Sequence, residues 1–176
     1  MKKREFSIPF SGLKQGKHEF DYVLENEFFE SFGYTDFNNV KIILDVLLKK
    51  MNTLIELELI VNGSVNVNCD RTNEPYDQDI FAKLELVVKF GDEYNDEDDE
   101  ILIIPHRAHQ INIAQYIYEM IVLAVPQKRV HPRVIDGSLE SGALQKLREL
   151  QPKEKKINTE DTDPRWDVLK KLITDK

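Results

Sequence analysis

Asn38-Asn39-Val40-Lys41-Ile42-Ile43-Leu44-Asp45-Val46-Leu47-Leu48-Lys49-Lys50 begins the stretch that decides the fold, which runs on to Phe90. Val40, Ile42, Leu44, Val46 and Leu48 alternate with Lys41, Asp45 and Lys49. After a turn near Met51-Asn52-Thr53 the alternation resumes at Ile55, Leu57, Leu59 and Val61, then continues through Val65, Val67 and Cys69. A third run sets Ile80, Ala82, Leu84, Leu86, Val88 and Phe90 against Lys83, Glu85 and Lys89. A period of two, rich in β-branched residues, is the pattern of half-buried antiparallel strands. Such a sheet buries one face, which helices must cover. The expected fold is α+β: an antiparallel sheet of long strands, strongly twisted or barrel-like, with a packed amphipathic helix and a C-terminal helix. Gly63 falls within the second strand and is expected to mark a bulge or bend, since so long a strand seldom stays straight.

Outward from this stretch, Glu5–Phe10 and Lys17–Leu24 read as short strands separated by Ser11-Gly12 and Gln15-Gly16 turns. Glu25–Phe32 suits one or two helical turns ending at Gly33. Between the second and third long strands, residues 69–76 (Cys-Asp-Arg-Thr-Asn-Glu-Pro-Tyr) read as a hairpin tip that presents its side chains to solvent or a partner. Ile101–Ile104 is a strand stopped by Pro105. Asn112 is placed as an N-cap, and Ile113, Tyr116, Ile117, Met120, Ile121 and Ala124 form a helical stripe that ends before Pro126. Leu139–Leu150 can form another helix, and Gln151–Thr162 reads as a charged linker. Asp163-Pro164 starts a last helix as N-cap and N1, with Trp166 and Leu169 on its apolar stripe. Trp166 is the candidate anchor of that helix, onto its own body or onto a partner. The organisation expected is 1–135 as a sheet-plus-helix body, 136–162 as helix and linker, and 163–176 as C-terminal helix.

The 176 residues carry a net charge of −8, which is unevenly spread. Residues 127–176 hold 12 Lys and Arg against 9 Asp and Glu, a net of +3, which leaves −11 for the first 126 residues. An acidic body repels nucleic acid at long range, so any RNA contact has to come from a local basic patch. Gln127-Lys128-Arg129-Val130-His131-Pro132-Arg133 is the compact basic segment. It is either a solvated loop or a contact for phosphate or an acidic partner. Seven of the nine residues after Gly91 are acidic. They form either a solvated loop or, through Asp96, Glu97, Asp98 and Asp99, a docking surface for a basic partner. The turn glycine and ligand order of an EF-hand are missing, which argues against a divalent-metal site.

No apolar run approaches the ~20 residues of a membrane span, and the charged start leads into no signal-peptide core. One cysteine cannot form an intramolecular disulfide. These features lead us to expect a cytoplasmic protein. No glycine loop has nucleotide-binding spacing, and neither Gly-x-Ser-x-Gly nor His-Glu-x-x-His occurs. Cys69 would be a nucleophile only beside a positioned base, and its register fits a buried small residue as well. No enzymatic activity, cofactor, metal or small-molecule substrate is expected.

Three motifs in order resemble the YceD family, the large ribosomal RNA subunit accumulation proteins. They are Cys69-Asp70-Arg71 between two long strands, then Ile111-Asn112-Ile113 through Glu119 to Ile121-Val122-Leu123-Ala124-Val125-Pro126, and finally Asp163-Pro164-Arg165-Trp166 with Leu169-Lys170-Lys171-Leu172. The resemblance spans roughly Phe6 to Leu172. It implies a non-enzymatic factor for 23S rRNA accumulation and large-subunit biogenesis. The implied partner is rRNA or a pre-50S particle, bound through a local basic patch. The alternative is a module that holds a basic ribosomal protein or assembly factor on the acidic loop and C-terminal helix. Many members carry Cys-x-x-Cys at the hairpin tip and further cysteines after the helix-ending proline, a zinc-type set. Here Cys69 matches the first, Thr72 stands at the second and His131 lies near a later one, so most of the set is missing. The inherited geometry would still bring hairpin tip and post-helix loop together. Arg71 would then lie beside Lys128, Arg129, His131 and Arg133.

Overall fold

A computed structural model describes residues 6–98 and 100–151. The chain divides into two compact units, residues 1–139 and 140–176. In the first unit the three long alternating runs are the three longest strands: β3 (Asn39–Lys50), β4 (Leu54–Asn68) and β5 (Pro75–Gly91). Before them come β1 (Ser7–Pro9), β2 (Gly16–Leu24) and α1 (Asn26–Glu30), and after them β6 (Ile101–Pro105), β7 (Gln110–Asn112), α2 (Ala114–Ala124) and α3 (Pro132–Ile135). One sheet has the order β2-β3-β4-β5-β6, and β1 pairs with β7 in a separate two-stranded ribbon. No pairing joins β2 to β6, so the five-stranded sheet is open.

The alternation is realised as read. Val40, Ile42, Leu44, Val46 and Leu48 of β3 and Ile55, Leu57, Leu59, Val61, Val65 and Val67 of β4 are buried, while their neighbours face outward. Ile117, Met120 and Ile121 of α2 and Phe28 and Phe29 of α1 join the same core. Each such side chain contributes roughly 1.5–3 kcal/mol by leaving water. Rings link the two helices: Phe32, just past α1, stacks on Tyr118 of α2 at 4.5 Å and 6°. This contact fixes α2 and so fixes where the chain leaves it. In the second unit, α4 (Gly142–Leu150) follows Ser141.

Four expectations need correction. The sheet is not wholly antiparallel, because β6 runs parallel to β5, with Val87 opposite Ile101 and Gly91 opposite Pro105. A parallel pair needs a return path, and the acidic segment supplies it. From Gly91 it descends along the outer side of β6, where Asn95 and Ile103 exchange both backbone hydrogen bonds at 3.0 and 2.8 Å. It then turns, and β6 rises between it and β5. The carboxylate-rich segment thereby covers the free edge of β6, where charge discourages a foreign strand from pairing.

Second, Gly63 marks no bulge, because the register through Ile42, Gly63 and Ile80 is unbroken. Its requirement is close approach: a Cβ there would meet the Lys41 carbonyl oxygen and lie 2.7 Å from Ile42 Cα. Third, Pro75 and Tyr76 belong to β5, not to the turn. Pro75 lacks an N–H, which is tolerable at the first residue of a strand. Fourth, α2 begins at Ala114 with Ile113 in the cap position, although Asn112 Oδ1 still accepts the Ala114 N–H at 3.0 Å. The sequence also showed no sign of β7, which is too short for any period to register. The last helix and Trp166 lie outside the described residues. No described helix is long and apolar enough to cross a membrane.

Candidate functional site

The hairpin tip after β4 is built on its own backbone. The Cys69 N–H bonds the Glu74 carbonyl at 2.9 Å, and the Asn73 N–H bonds the Cys69 carbonyl at 2.8 Å. Asn73 has φ 58°, a conformation Asn tolerates better than most residues. At the far end of the chain's path, α2 stops before Pro126, and the basic segment crosses to this tip. The Asp70 N–H bonds the Arg129 carbonyl at 2.7 Å, and the Arg129 N–H returns a bond to Asp70 Oδ2 at 2.7 Å. The Arg129 Nε lies 3.6 Å from Asp70 Oδ1. The His131 N–H donates to Cys69 Sγ at 3.3 Å, and the His131 ring packs 5.2 Å from that of Tyr76.

Tip and post-helix loop are thus stitched together across about sixty residues of chain. The expectation that the tip presents all its side chains is corrected by this contact, since Cys69 is only 2% exposed. Burial pushes the Cys69 thiol up, but the His131 N–H, the Thr72 hydroxyl and the Arg71 and Thr72 N–H groups outweigh it, leaving its pKa below the ordinary thiol value.

The residues singled out from the sequence fall as follows. Arg71 and Lys128 line one open hollow of about 510 Å³, together with Gln78, Val130, Val134 and Ile135. Both cations are exposed, and among the described residues neither has an ion pair. Arg129 is beside them but turned to Asp70, which neutralises part of its charge. His131 is the N-cap of α3, and its Nδ1 accepts the Arg133 N–H at 3.0 Å. That bond leaves the ring proton of neutral His131 on Nε2. Arg133 is exposed on α3, near Asp136. The Asp136 carboxyl lies below the usual range, chiefly through its bonds from Ser138, with Arg133 and His131 adding to the effect.

Residues of this site not singled out beforehand as contacts include Asp70, Gln78 and Ile135. Asp70 is the latch for Arg129; the sequence shows it as a turn residue of the tip motif, with nothing to point to its partner. Gln78 carries a legible signal, being a polar side chain on the core parity of β5, between buried Tyr76 and Ile80. Ile135 is a large apolar residue left 75% exposed.

The zinc-type set does not fit. Thr72 replaces one thiolate, His131 has committed Nδ1 to a backbone N–H, and only Cys69 is left in a ligand's position. Among the described residues no three His, Cys, Asp or Glu side chains gather as a metal would need.

The acidic segment is shaped by its own side chains. Asn95 Oδ1 accepts the Glu97 N–H at 2.9 Å, and Asp98 Oδ1 accepts those of Glu100 and Ile101 at 2.9 and 3.2 Å. Asp96 takes the Tyr94 hydroxyl at 3.1 Å, and Glu97 is exposed. Asp99 lies outside the described residues.

The fold and site define an α+β protein whose hairpin tip is locked to the loop behind its main helix, with cations gathered at the junction. The chain belongs to the YceD family: the family described as large ribosomal RNA subunit accumulation protein YceD matches residues 57–173, which include β4 from Leu57 onward, the tip, β5, α2 and the basic segment. No curated protein and no solved structure matches the chain significantly. The family's name ties it to accumulation of the RNA of the large ribosomal subunit.

Proposed function

We propose that this chain is a non-enzymatic, cytoplasmic factor for 23S rRNA accumulation and large-subunit biogenesis, which binds rRNA or a pre-ribosomal particle through the junction of tip and loop. The observation that carries the reading is the Asp70–Arg129 and Cys69–His131 stitch, which sets Arg71 beside Lys128 in one hollow. Arg71, Lys128 and Arg133 supply exposed charge for phosphates, with Arg129 and His131 adding donors at the rim. Val130, Val134 and Ile135 form an apolar wall beside them, a surface suited to an unstacked base. Gln78 can tell base edges apart. An acidic body with a few local cations makes the contact short-ranged, favouring a partner already brought close.

Three phosphate contacts on single-stranded RNA release counterions with a log–log salt slope of roughly −2, a loss of about twentyfold between 50 and 200 mM salt. The test is filter binding of a 23S rRNA transcript to the full chain over that range. Replacing Arg71, Lys128 and Arg133 together with Ala should lower affinity and flatten the slope by about 2. An unchanged slope would dismiss this surface as the RNA contact.

A further inference from the structure

The outer face of the sheet carries an apolar row that only the register reveals. Val23 of β2 lies opposite Ile43 of β3, Ile43 opposite Asn62 of β4, and Asn62 opposite Phe81 of β5. Val23 is 63% exposed, Ile43 56% and Phe81 69%. The inner faces of these strands are buried in the core, so this row is surplus to folding. One and two register steps toward the other end of the strands the surface gains carboxylates, Asp21 and Asp45 at the first step and Glu19 and Glu58 at the second. Glu19, Asp21, Asp45 and Glu58 line a hollow of about 300 Å³ whose apolar lining includes Leu47 and Ile60. Among the described residues, Glu58 alone of these four carboxylates has an ion pair, with Lys83 at 2.7 Å. Lys83 also serves Glu85, so one cation answers two carboxylates.

We infer that this face binds a Lys- and Arg-rich polypeptide segment that also carries apolar side chains. Its apolar side chains cover Val23, Ile43 and Phe81, and its cations meet Glu19, Asp21 and Asp45. An exposed apolar patch bordered by polar residues marks an interaction surface, and the charge beside it selects the occupant. A second copy of the chain would set carboxylates against carboxylates, which an interface disfavours. Nucleic acid and anionic lipid are repelled for the same reason. Asn62 lies six residues before the end of β4, about 20 Å along the strand. Phe81 has the opposite parity to Gln78, so this face and the cationic hollow are on different sides of the sheet. One molecule can therefore hold an RNA and a basic polypeptide at once.

The test uses calorimetry on the full chain with two synthetic probes: a peptide of Lys and Leu, and a matched peptide with Ser in place of Leu. Phe81→Ser combined with Ile43→Thr should weaken the Lys–Leu peptide by at least about tenfold and leave the Lys–Ser peptide nearly unchanged. Phe81→Leu should keep the affinity, which separates lost contact from lost folding. Asp21→Asn with Asp45→Asn should weaken both peptides. The inference is overturned if the double apolar substitution leaves the Lys–Leu affinity intact. It is also overturned if affinity is lost only on Asp96→Asn with Asp98→Asn in the acidic segment, or if Phe81→Ser turns a self-associated form into a monomer. None of these substitutions touches Arg71 or Lys128, so this proposal and the RNA reading fail independently.

Discussion

Asp70→Ala removes the side chain that latches tip to loop while leaving the backbone bond between Asp70 N–H and the Arg129 carbonyl in place. Two interactions go with it: the bond from the Arg129 N–H to Oδ2 at 2.7 Å, and the Arg129 Nε contact with Oδ1 at 3.6 Å. A hydrogen bond to a charged acceptor is worth roughly 1.5–3 kcal/mol. The Asp70 and Arg129 side chains are 40% and 30% exposed, so water takes over part of that, and the ion pair adds only a few tenths. The expected loss is about 1–2 kcal/mol, or a fall in Tm of roughly 3–6 °C for a chain of this size. Asp70→Asn keeps one acceptor oxygen and should lose about half as much. Urea denaturation measures the shift in midpoint, with the slope unchanged because the surface exposed on unfolding is the same. Exchange of the Arg129 amide should quicken in the Ala variant. A midpoint that does not move, together with an Arg129 amide as protected as before, would refute the latch.

Gly63→Ala should cost more than about 3 kcal/mol in the same titration, since its Cβ would be driven into the Lys41 backbone within the middle of the sheet. Tyr116 has its hydroxyl buried with no partner among the described residues, and burial, then Tyr94, Asp96 and Glu119, push its pKa up to about 12. Tyr116→Phe should therefore be neutral or stabilising by up to ~1 kcal/mol in thermal melts. Cys69 has a folded pKa below its unfolded value, so thiolate stabilisation is present above the unfolded pKa and is lost as pH falls through the folded one. The stability of the native chain relative to Cys69→Ala should accordingly grow as pH rises from neutral toward about 9, read from urea midpoints at a series of pH values.

The long strands were legible because alternation is a local property. Each of β3, β4 and β5 declares its inner face by parity, and burial followed that parity at almost every position. The stripe of α2 was legible in the same way through a period near 3.6. The partnership of β6 was not, because Ile101–Pro105 carries the same apolar pattern whether it pairs parallel or antiparallel. Its direction depends on the acidic segment folding back along it through Asn95. The bulge expected at Gly63 is absent: a glycine in a strand signals equally a bulge or a close backbone approach, and here it is the approach.

By itself the sequence determined the long strands and the main helix, the absence of familiar catalytic motifs, and the family. All of these rest on residue type and short spacing. Tertiary structure alone decided which distant residues share a surface. The meeting of Asp70 with Arg129 and of Cys69 with His131, and the row from Val23 through Ile43 to Phe81, depend on where strands and loops arrive in space. The physical reason is that hydrogen bonds and cross-strand neighbours act over a few ångströms, whereas the residues that make them here are tens of positions apart, and no local pattern encodes that distance.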